Sequence, residues 1–574
     1  MNLTDLLAVA RGDAPGDLLF TNGRVVNTLT SEIEELDVVV FDGHIAGLGS
    51  GYRAHRTIDL RGGYLLPGFI NGHTHIESSH LWVGEYARAV LAHGTVAAVS
   101  DLHEIANVAG LFGLRQLMQA AEPLPFELYL MAPSCVPASP LETAGAVLGP
   151  DEVAEALRLD RAIGLGELMD FPGAIDGLPR VIDKLRPAGD RLIDGHAPGL
   201  TGHALNAYIA AGPQSDHEST MLEEGREKLR RGMYLMIREG TTEKNLEQLL
   251  PLVDDGTWPR CLFVTDDRSA ADLLNDGDID AIVCKAITLG LDPIRAVQLA
   301  TINAARCFGL RGLGAIAPGY RAHVIVCDDL RRPQPRQVYF AGRLITEGGR
   351  ALFEAPPGEI DARLLNSVNV AALTPDSFAL PVVGPRYPVI EVIPGQILTG
   401  CRIEEVRVVN GRVEADVERD ILKLAVIERH QGSGRIGVGL VHGFGLKRGA
   451  LASSYAHDSH NIIVVGTNDD DMAEAVLAVV ARQGGLVAVA DGRLLASLEL
   501  PVGGIMSLES AERVAERGAA LNDAARSLGA QVDEPFAVLS FLALPVIPSL
   551  KLTDRGLVDV ERGDLFDLTA MRED

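Results

Sequence analysis

His73, His75 and Glu77 stand at alternate positions in Leu65-Leu66-Pro67-Gly68-Phe69-Ile70-Asn71-Gly72-His73-Thr74-His75-Ile76-Glu77-Ser78-Ser79, where an apolar run ends in three side chains able to ligate a metal. If Leu65 to Ile76 is one strand, its period of two turns the three side chains toward the same side. Imidazole and carboxylate are the usual ligands of a catalytic divalent cation, and histidines at i and i+2 can reach one ion together. Two ligands hold no metal firmly, so the others are sought at the ends of further apolar runs, where a parallel barrel gathers its chemistry. Four positions qualify: Glu167 after Ala162-Ile163-Gly164-Leu165-Gly166, His196 after Arg191-Leu192-Ile193-Asp194-Gly195, His217 in Ser215-Asp216-His217-Glu218 after the Ala-rich stretch Tyr208 to Gly212, and Asp266 after Cys261-Leu262-Phe263-Val264-Thr265. Taken singly, a His or Glu at a strand end is ordinarily a hydrogen-bonded or solvated side chain. The whole set, in the order His-x-His, Glu, His, His, Asp and each after a β-like run, points to a metal site.

The elements that must position these groups fall into three textures. Residues 15 to 65 read as short strands and turns, among them Asp17-Leu18-Leu19-Phe20, Arg24-Val25-Val26-Asn27 and Asp37-Val38-Val39-Val40-Phe41 before the turn Asp42-Gly43. The same texture returns at Ala322–Cys327 and Gln337–Arg343, so residues 1–65 and 313–355 are expected to complete one β-sandwich. Between them, residues 66–312 alternate β-like runs such as Thr95–Val99, Glu127–Met131 and Met233–Ile237 with helical stretches such as Asp292–Ala300. Eight such runs within about 250 residues fit a distorted (β/α)8 barrel; a doubly wound sheet would gather its ligands at one switch point instead. After Ala355-Pro356-Pro357-Gly358 the pattern changes to mixed strands and helices, so residues 356–574 are expected to form a separate α+β domain. That domain carries a dense polar cluster, Tyr455-Ala456-His457-Asp458-Ser459-His460-Asn461, readable as a hydrogen-bonded turn or as part of an active site.

At 574 residues the chain exceeds one core and should divide into two to four domains. Hydrophobic residues make up 47% and charged residues 22%, a balance that argues for buried, enzyme-like structure over disorder. A formal charge of −27 repels a phosphate backbone or an anionic membrane, which makes nucleic acid a poor partner. The N-terminus has neither a basic flank nor an export-length apolar core, and no run reaches the ~20 apolar residues of a membrane span, so a cytoplasmic protein is expected. Six scattered cysteines without a C-x-x-C pair suit reduced buried thiols, and the missing P-C-x-x-C element excludes the zinc deaminases that act on flipped bases.

These motifs together resemble the adenine deaminases of the amidohydrolase superfamily. The resemblance is carried by Pro67-Gly68-Phe69-Ile70 leading into His73-Thr74-His75-Ile76-Glu77-Ser78-Ser79, by His103-Glu104-Ile105-Ala106-Asn107-Val108, and by Met131-Ala132-Pro133-Ser134-Cys135-Val136-Pro137. It continues through Gly166–Asp170, Gly195–Leu200, Ser215–Glu218, Arg238-Glu239-Gly240, Thr265–Arg268, Ala456–Asn461 and Leu550–Asp554, and so spans almost the whole chain. Pro-Gly-Phe-Ile with His-x-His marks the superfamily alone; Ile-Glu-Ser-Ser and His-Asp-Ser-His-Asn are far narrower. Ser100-Asp101-Leu102 before His103, and Asn71-Gly72, depart from the expected pattern without touching a presumed ligand.

The resemblance implies two divalent ions, Mn or Fe first with Zn as the alternative, held by His73, His75, Glu167, His196, His217 and Asp266. Two adjacent cations acidify a bridging water enough to supply hydroxide near neutral pH. Attack at carbon six of adenine also needs a proton on the ring, so Asp266 is expected to shuttle the proton of the water to departing ammonia and Glu77 to protonate the ring. Glu77 as a partner of a metal histidine is the alternative. His103 and Arg238 are candidates for positioning the base, against a structural ion pair or capping contact for each, and Met131, Phe171 and Leu102 could supply apolar walls. The expected activity is deamination of adenine to hypoxanthine and ammonia in purine salvage, by a homo-oligomer, a dimer. Two alternatives are weighed: the same chemistry on an N-substituted adenine or a cyclic amide, and a non-catalytic purine-binding scaffold. A scaffold would typically have lost a ligand or the acid, and none is lost here.

Overall fold

The computed structural model describes residues 2–566. Strands β1 (Phe69–Thr74), β2 (Thr95–Asp101), β3 (Glu127–Ala132), β4 (Ala162–Leu168) and β5 (Leu192–Gly195) pair side by side, all parallel, in one sheet. Strands β6 (Ser215–Asp216), β7 (Tyr234–Arg238) and β8 (Cys261–Val264) form a second parallel sheet. The sheets meet at both edges. Gln214 N donates to Ile193 O at 3.0 Å, and Asp266 N donates to His73 O at 3.1 Å where Thr74 and Asp266 form a parallel bridge. Every residue of β1, β2 and β8 is buried, which explains runs that are apolar without alternation: helices cover the outer face of such a sheet and side chains fill the inner one. Among the connecting helices, Pro293–Leu299 starts where the Asp292 side chain accepts from Ile294 N and Arg295 N, with proline in the first turn.

The single strand expected from Leu65 to Ile76 is two strands in different sheets. Tyr64–Pro67 pairs antiparallel with Val324–Cys327, and the chain then crosses at Gly68, where a Cβ would lie 2.4 Å from Val96 Cγ2, to enter β1. β1 ends at Thr74, and Ile76–Ser79 coils into a short 3-10 helix. His73 and His75 therefore leave the strand end together, while Glu77 follows the helix and loses the alternation that would have aimed it alongside them.

The segments before and after the parallel strands build two further sheets. One joins Gly16–Thr21, Val38–Phe41, His44–Leu48 and Ala54–Asp59; the other runs over seven strands, from Glu32–Glu35 through Arg24–Asn27, Tyr64–Pro67 and Val324–Cys327 to Gln337–Phe340, Arg343–Glu347 and Arg350–Ala351. Phe20, Val38, Val40 and Ile45 from the first share one apolar cluster with Val25, Leu65, Val324 and Tyr339 from the second. The Asp42-Gly43 turn has φ of 46° and 75°, the left-handed pair that a two-residue hairpin requires.

Beyond residue 380 an eight-stranded, mainly antiparallel sheet dominates. Along its strand Ile421–Ile427, Ala425 and Ile427 pack under the helix Asp469–Ala481 with Met472, Val476 and Val479. Leu422, Leu424 and Val426 face the other way and belong to the same continuous cluster as Leu102, Ile105 and Val108 of the β2 connection. One apolar core thus ties this sheet to the parallel strands, and it brings the Tyr455–Asn461 segment to their C-terminal ends. Among the described residues no helix is long and apolar enough to cross a membrane.

Candidate active site

The six expected ligands converge. His73, His75 and Asp266 form one group, and Glu167, His196 and His217 a second, each with ligand atoms within 4.8 Å of one another. Glu167 lies between them. Its Oε1 is 2.9 Å from His75 Nε2 and 3.4 Å from His73 Nε2, and its Oε2 is 2.8 Å from His196 Nδ1 and 3.5 Å from His217 Nε2. Asp266 Oδ1 sits 3.3 Å from His75 Nε2, on a backbone with φ of 59°, a left-handed conformation that aspartate tolerates better than most residues. All six side chains are buried.

Supporting contacts fix which atom each imidazole presents. His73 Nδ1 is 2.9 Å from Asp194 Oδ2 and His75 Nδ1 is 2.9 Å from Asp101 O, so in both rings Nε2 carries the lone pair and faces inward. The two Nε2 atoms approach to 3.2 Å. Two lone pairs at that distance repel unless a cation or proton lies between them. Asp101 also accepts the Glu167 amide at 2.8 Å, and Tyr208 OH accepts the His196 amide at 2.9 Å. Beneath His217, the buried Lys228 pairs with Asp216 and Glu224, each at 2.8 Å.

Burial opposes charge on His73, but Asp194 and Glu167 outweigh it and hold the imidazole up at about 10. Burial likewise opposes ionisation of Glu167 and Asp266; the surrounding histidines, with Arg238 for Asp266, keep both well below the usual carboxylate range. A field that draws protons onto buried imidazoles also draws metal cations. Glu167 Oε1 and His217 Nδ1 are buried with no hydrogen-bond partner among the described residues, an arrangement costing about 1–3 kcal/mol per atom if nothing satisfies it. The donor set, its facing lone pairs and its orphaned oxygen fit divalent cations.

Beside these side chains lies a cavity bordered by His75, Glu167, His196, His217 and Asp266, and also by His103, Glu104, Arg238 and Glu243. His103 opens the helix His103–Ala121 and faces Asp101, Glu104 and Asp458 at 3.5 to 3.9 Å. Arg238, ending β7, is already engaged: Nη1 binds Glu218 Oε1 at 2.5 Å and Asp266 Oδ2 at 2.8 Å, Nη2 binds Glu218 Oε2 at 3.0 Å, and Nε binds Asn245. Its place among buried carboxylates is that of a structural ion pair holding Asp266. Glu77 does not border the cavity. Its Oε1 accepts the Ile105 amide at 3.2 Å, and burial followed by the charge of Glu104 lifts its carboxyl to about 7.

The far wall comes from the last domain: His457, Asp458, Ile397, Phe541, Leu544 and Ile547, joined by Met169. Met131, Phe171 and Leu102 do not border the cavity; Met131 and Leu102 are wholly inside the core. His457 Nδ1 is 2.6 Å from Glu104 Oε1, and its ring stacks on Phe541 with centroids 4.4 Å apart. His460 Nε2 reaches the other oxygen of Glu104 at 2.5 Å, and Tyr455 OH donates to Oε1 at 3.2 Å. Burial works against a charged His457 and is overcome by Glu104, which holds it up at about 9. The His457-to-His460 cluster was visible in sequence, but its pairing with Glu104 and the apolar lining around Phe541 were not. Asp194 and Asp101 were signalled only by standing two residues before His196 and His103.

Residues 64–345 match the amidohydrolase family, and residues 396–564 match the adenine deaminase C-terminal domain. An adenine deaminase from Dehalococcoides mccartyi is 52% identical over 560 residues, covering 98% of each chain. Adenine deaminase 2 of Carboxydothermus hydrogenoformans is 49% identical over 559 residues, covering 97% of this chain and 98% of its own. That of Desulfatibacillum aliphaticivorans is 46% identical over 572 residues, covering 99% of both. Identity at this level over the full length, with both regions matched, means that the chain belongs to the adenine deaminase family of amidohydrolases.

Proposed function

We propose that this protein hydrolyses adenine to hypoxanthine and ammonia with two divalent cations held by His73, His75, Glu167, His196, His217 and Asp266. The observation that carries the reading is Glu167, one oxygen turned to each group of histidines, in a cavity whose opposite wall sets Ile397, Phe541, Leu544 and Ile547 beside His457 and Asp458. The cations would acidify water to a nucleophile near neutral pH. Asp266 has one oxygen held by Arg238, which leaves Oδ1 to take the proton of the attacking water and return it to the departing amine. Loss of aromaticity in the ring is offset only if a ring nitrogen is protonated as the carbon–oxygen bond forms. Glu77 is turned away from the cavity, so that role passes to His457, whose Nδ1 is engaged by Glu104 and whose Nε2 is 3.8 Å from Asp267. His103 orients the base; Phe541, Leu544 and Ile547 receive the flat ring and exclude bulk water.

The edge contacts Gln214–Ile193 and Asp266–His73 support closure of β1 to β8 as a distorted (β/α)8 barrel over residues 66–312, and the shared apolar cluster supports a β-sandwich from 1–65 and 313–355. Residues 356–574 complete the proposed division, and of these Ile397, His457, Asp458, Phe541, Leu544 and Ile547 border the cavity. Manganese or iron, with zinc as the alternative, suits mixed imidazole and carboxylate donors. A place in purine salvage, a cytoplasmic location and a homodimer complete the reading, on the sequence argument given above. The test is hypoxanthine formation from adenine by enzyme stripped with chelator and reloaded with Mn(II), with methylamine release from the N-methylated base beside it. Metal-dependent hypoxanthine is expected; a loaded enzyme that leaves adenine intact overturns the reading.

A further inference from the structure

Lys551 lies in the strand Leu550–Thr553 with no part of its side chain exposed. Its ammonium makes no ion pair with a carboxylate among the described residues. Instead it donates to two backbone carbonyls, Ile397 O and Phe541 O, each at 2.9 Å. Both residues border the cavity, one from the loop before Thr399 and the other from the last turn of the helix Pro535–Phe541. The remaining apolar members of that wall, Leu544 and Ile547, sit on the segment that leads from Phe541 back to Lys551.

A buried ammonium without a counter-charge is a poor contributor to stability. Burial alone pulls this lysine down to about 7, and an apolar side chain of the same length would fill the space more favourably. What the lysine does supply is geometry. It joins two segments more than a hundred residues apart, at the point where both carry cavity-facing side chains, and a cation placed on the C-terminal carbonyls of a helix fixes that helix end. The contact extends to the reactive side, because Phe541 stacks on His457, which in turn is held by Glu104.

We propose that Lys551 is a positioning residue: it clasps the Ile397 loop to the Phe541 helix end and so sets the apolar wall that receives the purine. This rests on the reading of the cavity as the adenine site. The wall contacts substrate and transition state alike, so loss of the clasp should raise KM and leave kcat nearly intact.

The experiment uses full-length, Mn-loaded enzyme. Lys551→Met is expected to raise the KM for adenine by about tenfold with kcat within about twofold. Phe541→Ala should raise KM as well, and the double variant should be little worse than the poorer single one, because both changes release the same wall. A KM unchanged in folded Lys551→Met, or single effects that multiply in the double variant, overturns the proposal. Should Lys551→Met not fold, Lys551→Gln reads the same contact, and an unchanged KM in it overturns the proposal. Wild-type turnover of adenine in the same assay separates the outcomes: if wild type is inactive the cavity reading fails, and if only the variants behave like wild type the clasp fails.

Discussion

Replacing Asp194 by asparagine tests how the protein holds His73. Asp194 Oδ2 is 2.9 Å from His73 Nδ1, while Oδ1 accepts from Gly195 N at 3.0 Å and from Ser215 Oγ, so both oxygens face donors. An asparagine has one acceptor oxygen. Whichever way it turns, its NH2 confronts either the His73 N–H or the Gly195 amide, and the negative charge that fixes the His73 tautomer is gone. Loss of such a partner behind a metal-binding histidine lowers metal affinity by about 10- to 100-fold, or about 1.4 to 2.7 kcal/mol. The assay is a Mn(II) titration of chelator-stripped Asp194→Asn and wild type, following bound metal and hypoxanthine formation together. Expected is a binding curve displaced to higher Mn(II), with turnover largely restored at saturation. A folded variant that binds Mn(II) as tightly as wild type would show that Asp194 does not orient a ligand, and the assignment of His73 would fall with it.

Three further outcomes follow from the same contacts. Lys228→Met strands two buried carboxylates, Asp216 and Glu224, and should cost about 3–5 kcal/mol in urea denaturation; an unchanged midpoint would mean that the pair is not buried as described. Glu104→Gln should lower kcat by about 10²- to 10⁴-fold at near-normal metal content, by removing the charge that keeps His457 protonated; wild-type turnover would exclude His457 as the proton source. The same variant has a pH signature. Because the folded His457 is raised to about 9 from 6.5, its contribution, roughly 3 kcal/mol, is fully present below pH 6.5 and disappears as pH rises through 9. The stability gap between wild type and Glu104→Gln should therefore narrow over that window, and a gap that is constant with pH contradicts the pairing.

Five of the six expected ligands were legible because each follows an apolar run that forms a parallel strand, and strands buried on both faces write such runs without interruption; His217 follows only the two-residue strand Ser215–Asp216, the Ala-rich run before it being the helix Gly202–Ala211. His73 and His75 could be paired from spacing alone, as the strand does reach Thr74. Glu77 could not be placed that way: the alternation stops one residue after His75, where Ile76–Ser79 coils and carries the carboxyl to the Ile105 amide. Arg238 could be read from sequence either as a base-positioning group or as half of an ion pair, because its partners, Glu218 and Asp266, lie 20 and 28 residues away beside neighbouring strands. The apolar wall was the least legible part. Ile397, Phe541, Leu544 and Ile547 meet β4 to β8 only through the packing of the last domain, and nothing local distinguishes them from core residues. Glu104 and His457 each stand in a motif visible in the sequence, but their pairing was not, the two being 353 positions apart in number yet 2.6 Å apart in space.

The central claim is that one buried carboxylate, Glu167, shares two cations between two groups of histidines and that those cations support adenine hydrolysis. The most direct test measures Mn bound per chain and hypoxanthine formed on the same samples, as metal is returned to stripped wild type and to Glu167→Gln. The account predicts two Mn per wild-type chain, with activity completed only at the second, and a variant that neither fills both positions nor regains turnover. Full activity at one Mn per chain, or a Glu167→Gln enzyme that loads two and works normally, would contradict it.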